Sequence, residues 1–170
     1  MKPEDITVLV IEDDEPLRLS LISDLNELGY LTVPAPDGFA ALEVLRFNRV
    51  DIVLSDLRMP NLNGVQVLKA MRSSGHFQPF VMLSGFGSRE EITELLRLGA
   101  FDFLEKPVDF GRLSEVLAEA ATLTLAQDKI KEEFIKTSGI SDSELTPKLE
   151  QAIRQITRLS ASRVVAKKKA

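Results

Sequence analysis

Four apolar runs in this chain end in polar side chains that could do chemistry together. Glu12-Asp13-Asp14-Glu15 follows Thr7–Ile11, and Asp56 follows Ile52-Val53-Leu54-Ser55. Ser84-Gly85 closes the run from Phe80, and Glu105-Lys106-Pro107 closes Phe101–Leu104. An isolated acidic pair after a strand commonly caps the next helix, a role that suits Asp14. An isolated lysine there is ordinarily a solvated charge. Brought to one edge, however, Glu12, Asp13 and Asp56 would repel one another and need a cation to share the space. The chain has no cysteine and a single histidine, His76, so the ligands are hard oxygens and Mg²⁺ is the natural ion. Such an ion neutralises phosphoryl oxygens in transfer, and a carboxylate can attack phosphorus to form an acyl phosphate. Lys106 would pair with one phosphoryl oxygen, and the Ser84 hydroxyl would donate to another.

The elements that must position these residues are legible as an alternation. Thr7–Ile11 is a continuous apolar strand of the kind buried on both faces. Leu17, Leu21, Leu25 and Leu28 form a helical stripe that Gly29 ends. Leu31–Val33 is a short strand, Pro36-Asp37-Gly38 a turn, and Ala41, Leu42 and Leu45 mark a second helix. Ile52–Ser55 is the third strand, and Val65, Leu68 and Met71 give the third helix. Phe80–Ser84 is the fourth strand; Ile92, Leu95, Leu96 and Leu98 form a fourth helix closed by Gly99. Phe101–Leu104 is the fifth strand, and Leu113, Val116, Leu117 and Ala120 begin a fifth helix. Five strands alternating with five helices predict an α/β fold, a doubly wound parallel sheet covered on both faces. Ligands then bind beyond the carboxyl ends of the strands, at the switch in strand order.

With 170 residues, the chain holds one domain with a substantial core plus an appendage. A hydrophobic fraction of 44% with 28% charged residues excludes wholesale disorder. No apolar run reaches the length of a membrane span, and the N-terminus turns acidic too early for a signal peptide, so a cytoplasmic location is the default expectation. The formal charge of −5 is unevenly spread. Residues 1–122 carry 20 acidic against 11 basic side chains, and residues 123–170 carry 6 against 10. The first part repels nucleic acid on average, and any such contact would have to come from the tail.

The motifs together resemble those of the response-regulator receiver family over roughly residues 5–122. The resemblance rests on Glu12-Asp13, on Asp-x-x-Met-Pro-x-x-x-Gly (Asp56, Met59, Pro60, Gly64), on Ser84 and on Lys106-Pro107, in that order and at that spacing. It implies a flavodoxin-like receiver domain over 1–122, which is a signalling switch rather than an enzyme of metabolism. By resemblance, Asp56 is the phosphoacceptor, and Glu12, Asp13 and the backbone carbonyl of Arg58 join it in binding Mg²⁺. Lys106 contacts the phosphoryl group, and Ser84 is the hydroxyl residue that moves toward it. Phe103 stands where the family carries a rotating aromatic switch, although it would also serve as an ordinary edge aromatic. The implied donor is a phosphohistidine on a sensor histidine kinase or a phosphotransfer protein. The chain departs from the commonest pattern in having Glu12 for an aspartate, Ser84 for a threonine and Phe103 without a hydroxyl. A hydrolase of the haloacid-dehalogenase type would show Asp-x-Asp at its nucleophile; here Arg58 stands two places beyond Asp56.

Residues 123–170 form a helical extension on which the family offers little guidance. Val116, Ala120, Leu123, Gln127, Ile130, Phe134 and Thr137 recur at heptad-like spacing, so the fifth helix should run to about Lys136, with Gln127 and Thr137 as polar breaks. Leu145, Leu149, Ala152, Ile156 and Leu159 predict a second amphipathic helix, and Arg163–Ala170 a basic, disordered end. An apolar seam beyond the domain must bury against something. The expectation is a homodimer through residues 113–136, with packing back on the receiver as the alternative and nucleic-acid binding by the basic tail as a more distant one.

Overall fold

The computed structural model describes residues 3–85, 93–95, 97–138, 151–152 and 155. After a short 3₁₀ turn (Pro3–Asp5), five strands alternate with helices: β1 (Thr7–Ile11), α1 (Glu15–Glu27), β2 (Leu31–Ala35), α2 (Gly38–Phe47), β3 (Ile52–Asp56), α3 (Gly64–Ser73) and β4 (Phe80–Ser84). Helical residues 93–95 and 97 belong to α4, followed by β5 (Asp102–Glu105) and α5 (Phe110–Ser138). All pairings are parallel, in the order β2-β1-β3-β4-β5. The doubly wound sheet is therefore present.

Burial on both faces explains why the strands read as unbroken apolar runs rather than alternating ones. Val8, Val10, Leu54, Val81 and Leu83 face one layer with Leu21 and Leu25 of α1 and Leu113, Val116 and Leu117 of α5. Leu9, Ile11, Val53, Phe80 and Met82 face the other, with Ala41 and Leu45 of α2, Leu68 and Met71 of α3, and Leu95 of α4. The helix stops expected at Gly29 and Gly99 coincide with backbone at φ 90° and 75°, a region that glycine enters without steric cost.

The elements differ from expectation at their ends. β2 runs two residues beyond Val33, through Pro34 and Ala35, because it is an edge strand and a missing N–H there costs no ladder bond on its outer side. β3 includes Asp56, so this carboxylate stands on the strand rather than past it.

The seam of α5 requires a larger correction. Leu113, Val116, Leu117, Ala120 and Leu123, expected at a dimer interface, all lie in the core of this chain's own receiver. Thr124 Oγ1 donates to the Asp51 carbonyl at 3.1 Å, and Gln127 Nε2 donates to the Phe77 carbonyl at 3.0 Å. Asp128 receives Arg49 at 3.3 Å. The helix is thus fastened to the loops that enter β3 and β4. A dimer using the seam would have only Ile130, which is half-buried, and residues beyond it; the side chain of Phe134 lies outside the described residues. So do the helix expected from Leu145 to Leu159, apart from helical Gln151, Ala152 and Gln155, and the basic end.

Candidate phosphoryl-transfer site

The sheet order reverses between β1 and β3, since the chain leaves β1 for the edge strand β2 and returns across it to β3. A crevice opens at the carboxyl edge of such a switch point. Ile11 is in register with Ser55, which sets Glu12 beside Asp56. Ser84 is in register with Glu105, and the Lys106 N–H donates to the Ser84 carbonyl at 3.0 Å, which brings the ends of β4 and β5 together.

All three expected carboxylates converge. Carboxylate oxygens of Glu12, Asp13 and Asp56 lie within 4.8 Å of one another; Glu12 and Asp56 are buried and Asp13 is exposed. Lys106 crosses from the far side of the sheet, with Nζ 2.8 Å from Glu12 Oε2 and 3.0 Å from Asp56 Oδ1. Burial pushes the Glu12 carboxyl above its ordinary range; the Lys106 hydrogen bond opposes this and the neighbouring charge of Asp56 reinforces it. Burial lowers the Lys106 ammonium, but the hydrogen bonds it donates to Glu12 and Asp56, with their negative charges, outweigh this and hold the group above its ordinary value. Lys106 is thus firmly cationic, and its one ammonium pairs with two of the three carboxylates.

The remaining expected residues divide. Ser84 is 8% exposed, and its buried Oγ has no hydrogen-bond partner among the described residues. Phe103 is half-buried and packs on the core layer of α2, α3 and α4. It lies two residues before Glu105, the register partner of Ser84, so alternation puts Phe103 and Ser84 on one face of the sheet. Arg58 is exposed in the loop after β3, two residues past Asp56. Asp14 behaves as the helix cap expected of it, its Oδ1 accepting the Leu17 N–H at 2.8 Å.

One support escaped the sequence, and another was legible there only as a motif residue. Arg18 Nη1 donates to the Glu12 carbonyl at 2.7 Å, fixing the loop that carries the acidic pair. An arginine in the first turn of an amphipathic helix gives no signal that separates it from a solvated charge. Gly64 begins α3 so close to the site that an added Cβ would collide with the Asp56 carbonyl and would lie 2.7 Å from the Met82 sulfur. The glycine of the motif is required by this approach, a reason that only the packing reveals.

The carboxylates, lysine and hydroxyl present suit a hard divalent cation shared with a phosphoryl group: oxygen ligands, a fixed counter-cation, and a hydroxyl donor without a partner among the described residues.

Comparison with known proteins agrees with this geometry. The sequence model of the response regulator receiver domain matches residues 8–118. The Regulator of RpoS of Escherichia coli K12 is 35% identical over 127 residues, which is 74% of this chain and 38% of that protein. Response regulator MprA of Mycobacterium ulcerans is 34% identical over 161 residues, 93% of this chain and 68% of its own length. The chain thus spans well under half of some relatives. Among solved structures, a response regulator receiver protein from Pseudomonas putida superposes with a TM-score of 0.65 at 31% identity, covering 67% of this chain and 96% of that one. The chemotaxis protein CheY4 of Vibrio cholerae gives 0.64 at 31% identity, covering 68% and 98%. Fold, motif order and relatives converge on one assignment: the chain belongs to the response regulator receiver family of two-component signalling.

Proposed function

We propose that Asp56 accepts a phosphoryl group, with Glu12, Asp13, Asp56 and the Arg58 carbonyl holding Mg²⁺, and that the phosphorylated chain switches a protein-binding surface. The observation that carries this reading is the meeting of Glu12, Asp13, Asp56 and Lys106 at the switch point, with the buried Ser84 hydroxyl, which has no partner among the described residues, at the end of β4. Bound Mg²⁺ supplies charge neutralisation for the carboxylates and for the phosphoryl oxygens. Asp56 attacks phosphorus through a carboxylate oxygen, and the bond from phosphorus to the donor's imidazole nitrogen breaks. Lys106 exchanges its ion pair with Asp56 for one with a phosphoryl oxygen, so that the ammonium is never left unpaired. The Ser84 hydroxyl donates to another phosphoryl oxygen and gains the partner it lacks.

The consequence is a population shift between two packed arrangements rather than a smooth deformation. Movement of Ser84 toward the phosphoryl group frees space on the face it shares with Phe103, which turns inward from its half-buried position. The donor class is a phosphohistidine on a sensor histidine kinase or a phosphotransfer protein, since an aspartate is matched to a phosphoramidate leaving group. Trapping tests the assignment. After phosphorylation by acetyl phosphate, borohydride reduction should leave homoserine at position 56 in peptide mapping; homoserine elsewhere, or none, contradicts it.

A further inference from the structure

The outward face of α2 carries an apolar stripe with no role in the site. Phe39 is 60% exposed and Phe47 is 74% exposed, at the two ends of a ten-residue helix whose inner face is Gly38, Ala41 and Leu45. Glu43 lies midway between the phenyl rings, and the Arg46 guanidinium sits 5.2 Å from the centre of the Phe47 ring. Asp37, Phe39, Ala40, Leu42, Glu43, Arg46 and Phe47 together line an open groove of about 490 Å³. Two exposed phenyl rings about 12 Å apart along one helix, beside an open groove, form the kind of patch that marks an interaction surface.

We propose that this stripe pairs with the same stripe of a second copy of the chain, as a weak symmetric dimer. The spacing is self-complementary. Phe39, Glu43 and Phe47 recur every fourth residue, so an antiparallel two-fold axis through Glu43 sets Phe39 of each copy against the partner's Phe47. The two Glu43 carboxylates approach each other at that axis. Arg46 is three residues along, about 4.5 Å of helical rise, within reach of the partner's Glu43, and so neutralises it. Each groove thereby receives an aromatic anchor from the other copy and a charge of opposite sign. The area sets the strength. Two rings exposed to this extent offer roughly 200–300 Å² per copy, well below the ~800 Å² of a standard interface, so the dimer is transient. None of Phe39, Glu43, Arg46 and Phe47 belongs to the phosphoryl-transfer site, so this pairing stands or falls independently of the phosphoryl chemistry.

Sedimentation of the full chain from about 5 to 500 µM tests it, a range suited to weak association. The wild type should show reversible dimerisation. Phe47→Ser or Arg46→Glu should weaken it at least tenfold, and the exchange Glu43→Arg/Arg46→Glu should restore it to near the wild-type constant, because the pair is merely reversed. A wild type that stays monomeric throughout overturns the proposal and leaves the stripe to the tail or to another protein. A dimer indifferent to these substitutions overturns it equally, placing self-association elsewhere.

Discussion

At the residue scale, Ser84 and His76 make the sharpest cases. The Ser84 hydroxyl is buried without a partner among the described residues, so its removal costs none of their hydrogen bonds. Ser84→Ala should leave unfolding free energy unchanged or raise it by up to about 1 kcal/mol, by urea titration. The same variant should still be phosphorylated but lose the amide-exchange changes that beryllofluoride induces in the wild type. Retention of those changes would remove Ser84 as the coupler. His76 sits against the Arg72 guanidinium, whose Nη1 donates to the His76 carbonyl at 2.8 Å. Burial and that cation lower the imidazole below its ordinary 6.5. Between the lowered value and 6.5 the unfolded chain therefore holds more protons than the folded one, and stability falls as pH falls through this window. His76→Gln should flatten that part of the urea midpoint curve; an identical decline in the variant would refute the contribution. The chemistry-bearing residues were legible because their types are unusual at strand ends, whereas Arg18, acting through one hydrogen bond to a main-chain carbonyl, was not.

At the scale of elements, packing decides what patterning leaves open. Apolar runs and glycine stops located every strand because burial on both faces and chain reversal leave strong marks in composition. Periodicity alone could not say against what α5 packs. Gln127 looked like a flaw in an apolar seam, yet its buried side chain donates to the Phe77 carbonyl. A seam with a polar break is therefore consistent with packing on the parent domain, and α5 keeps contact with the loops before β3 and β4 as far as Asp128. The β3–α3 junction gives an element-scale prediction. Because a Cβ at Gly64 would meet the Asp56 carbonyl and Met82, Gly64→Ala should force the junction apart and destabilise the fold by roughly 1–3 kcal/mol. It should also weaken phosphorylation by displacing Asp56. Urea midpoints and labelling measured on one preparation check both, and an unperturbed variant would show that the junction has slack.

At the scale of the whole molecule, a parallel sheet with one reversal of strand order gathers groups that stand 94 residues apart, such as Lys106 and Glu12. Holding three carboxylates at one edge with one lysine leaves excess negative charge, which a cation bound only by the folded state relieves. Millimolar Mg²⁺ should therefore raise the thermal midpoint of the full chain, and raise that of Asp13→Ala less. An equal shift in both would place the ion elsewhere. The central claim is that Asp56 carries the phosphoryl group, and the intact mass of the full chain after incubation with acetyl phosphate and Mg²⁺ tests it most directly. The wild type should gain one acid- and alkali-labile phosphoryl mass, and Asp56→Asn, whose amide cannot form the acyl phosphate, should gain none. An equal gain in Asp56→Asn would contradict the account.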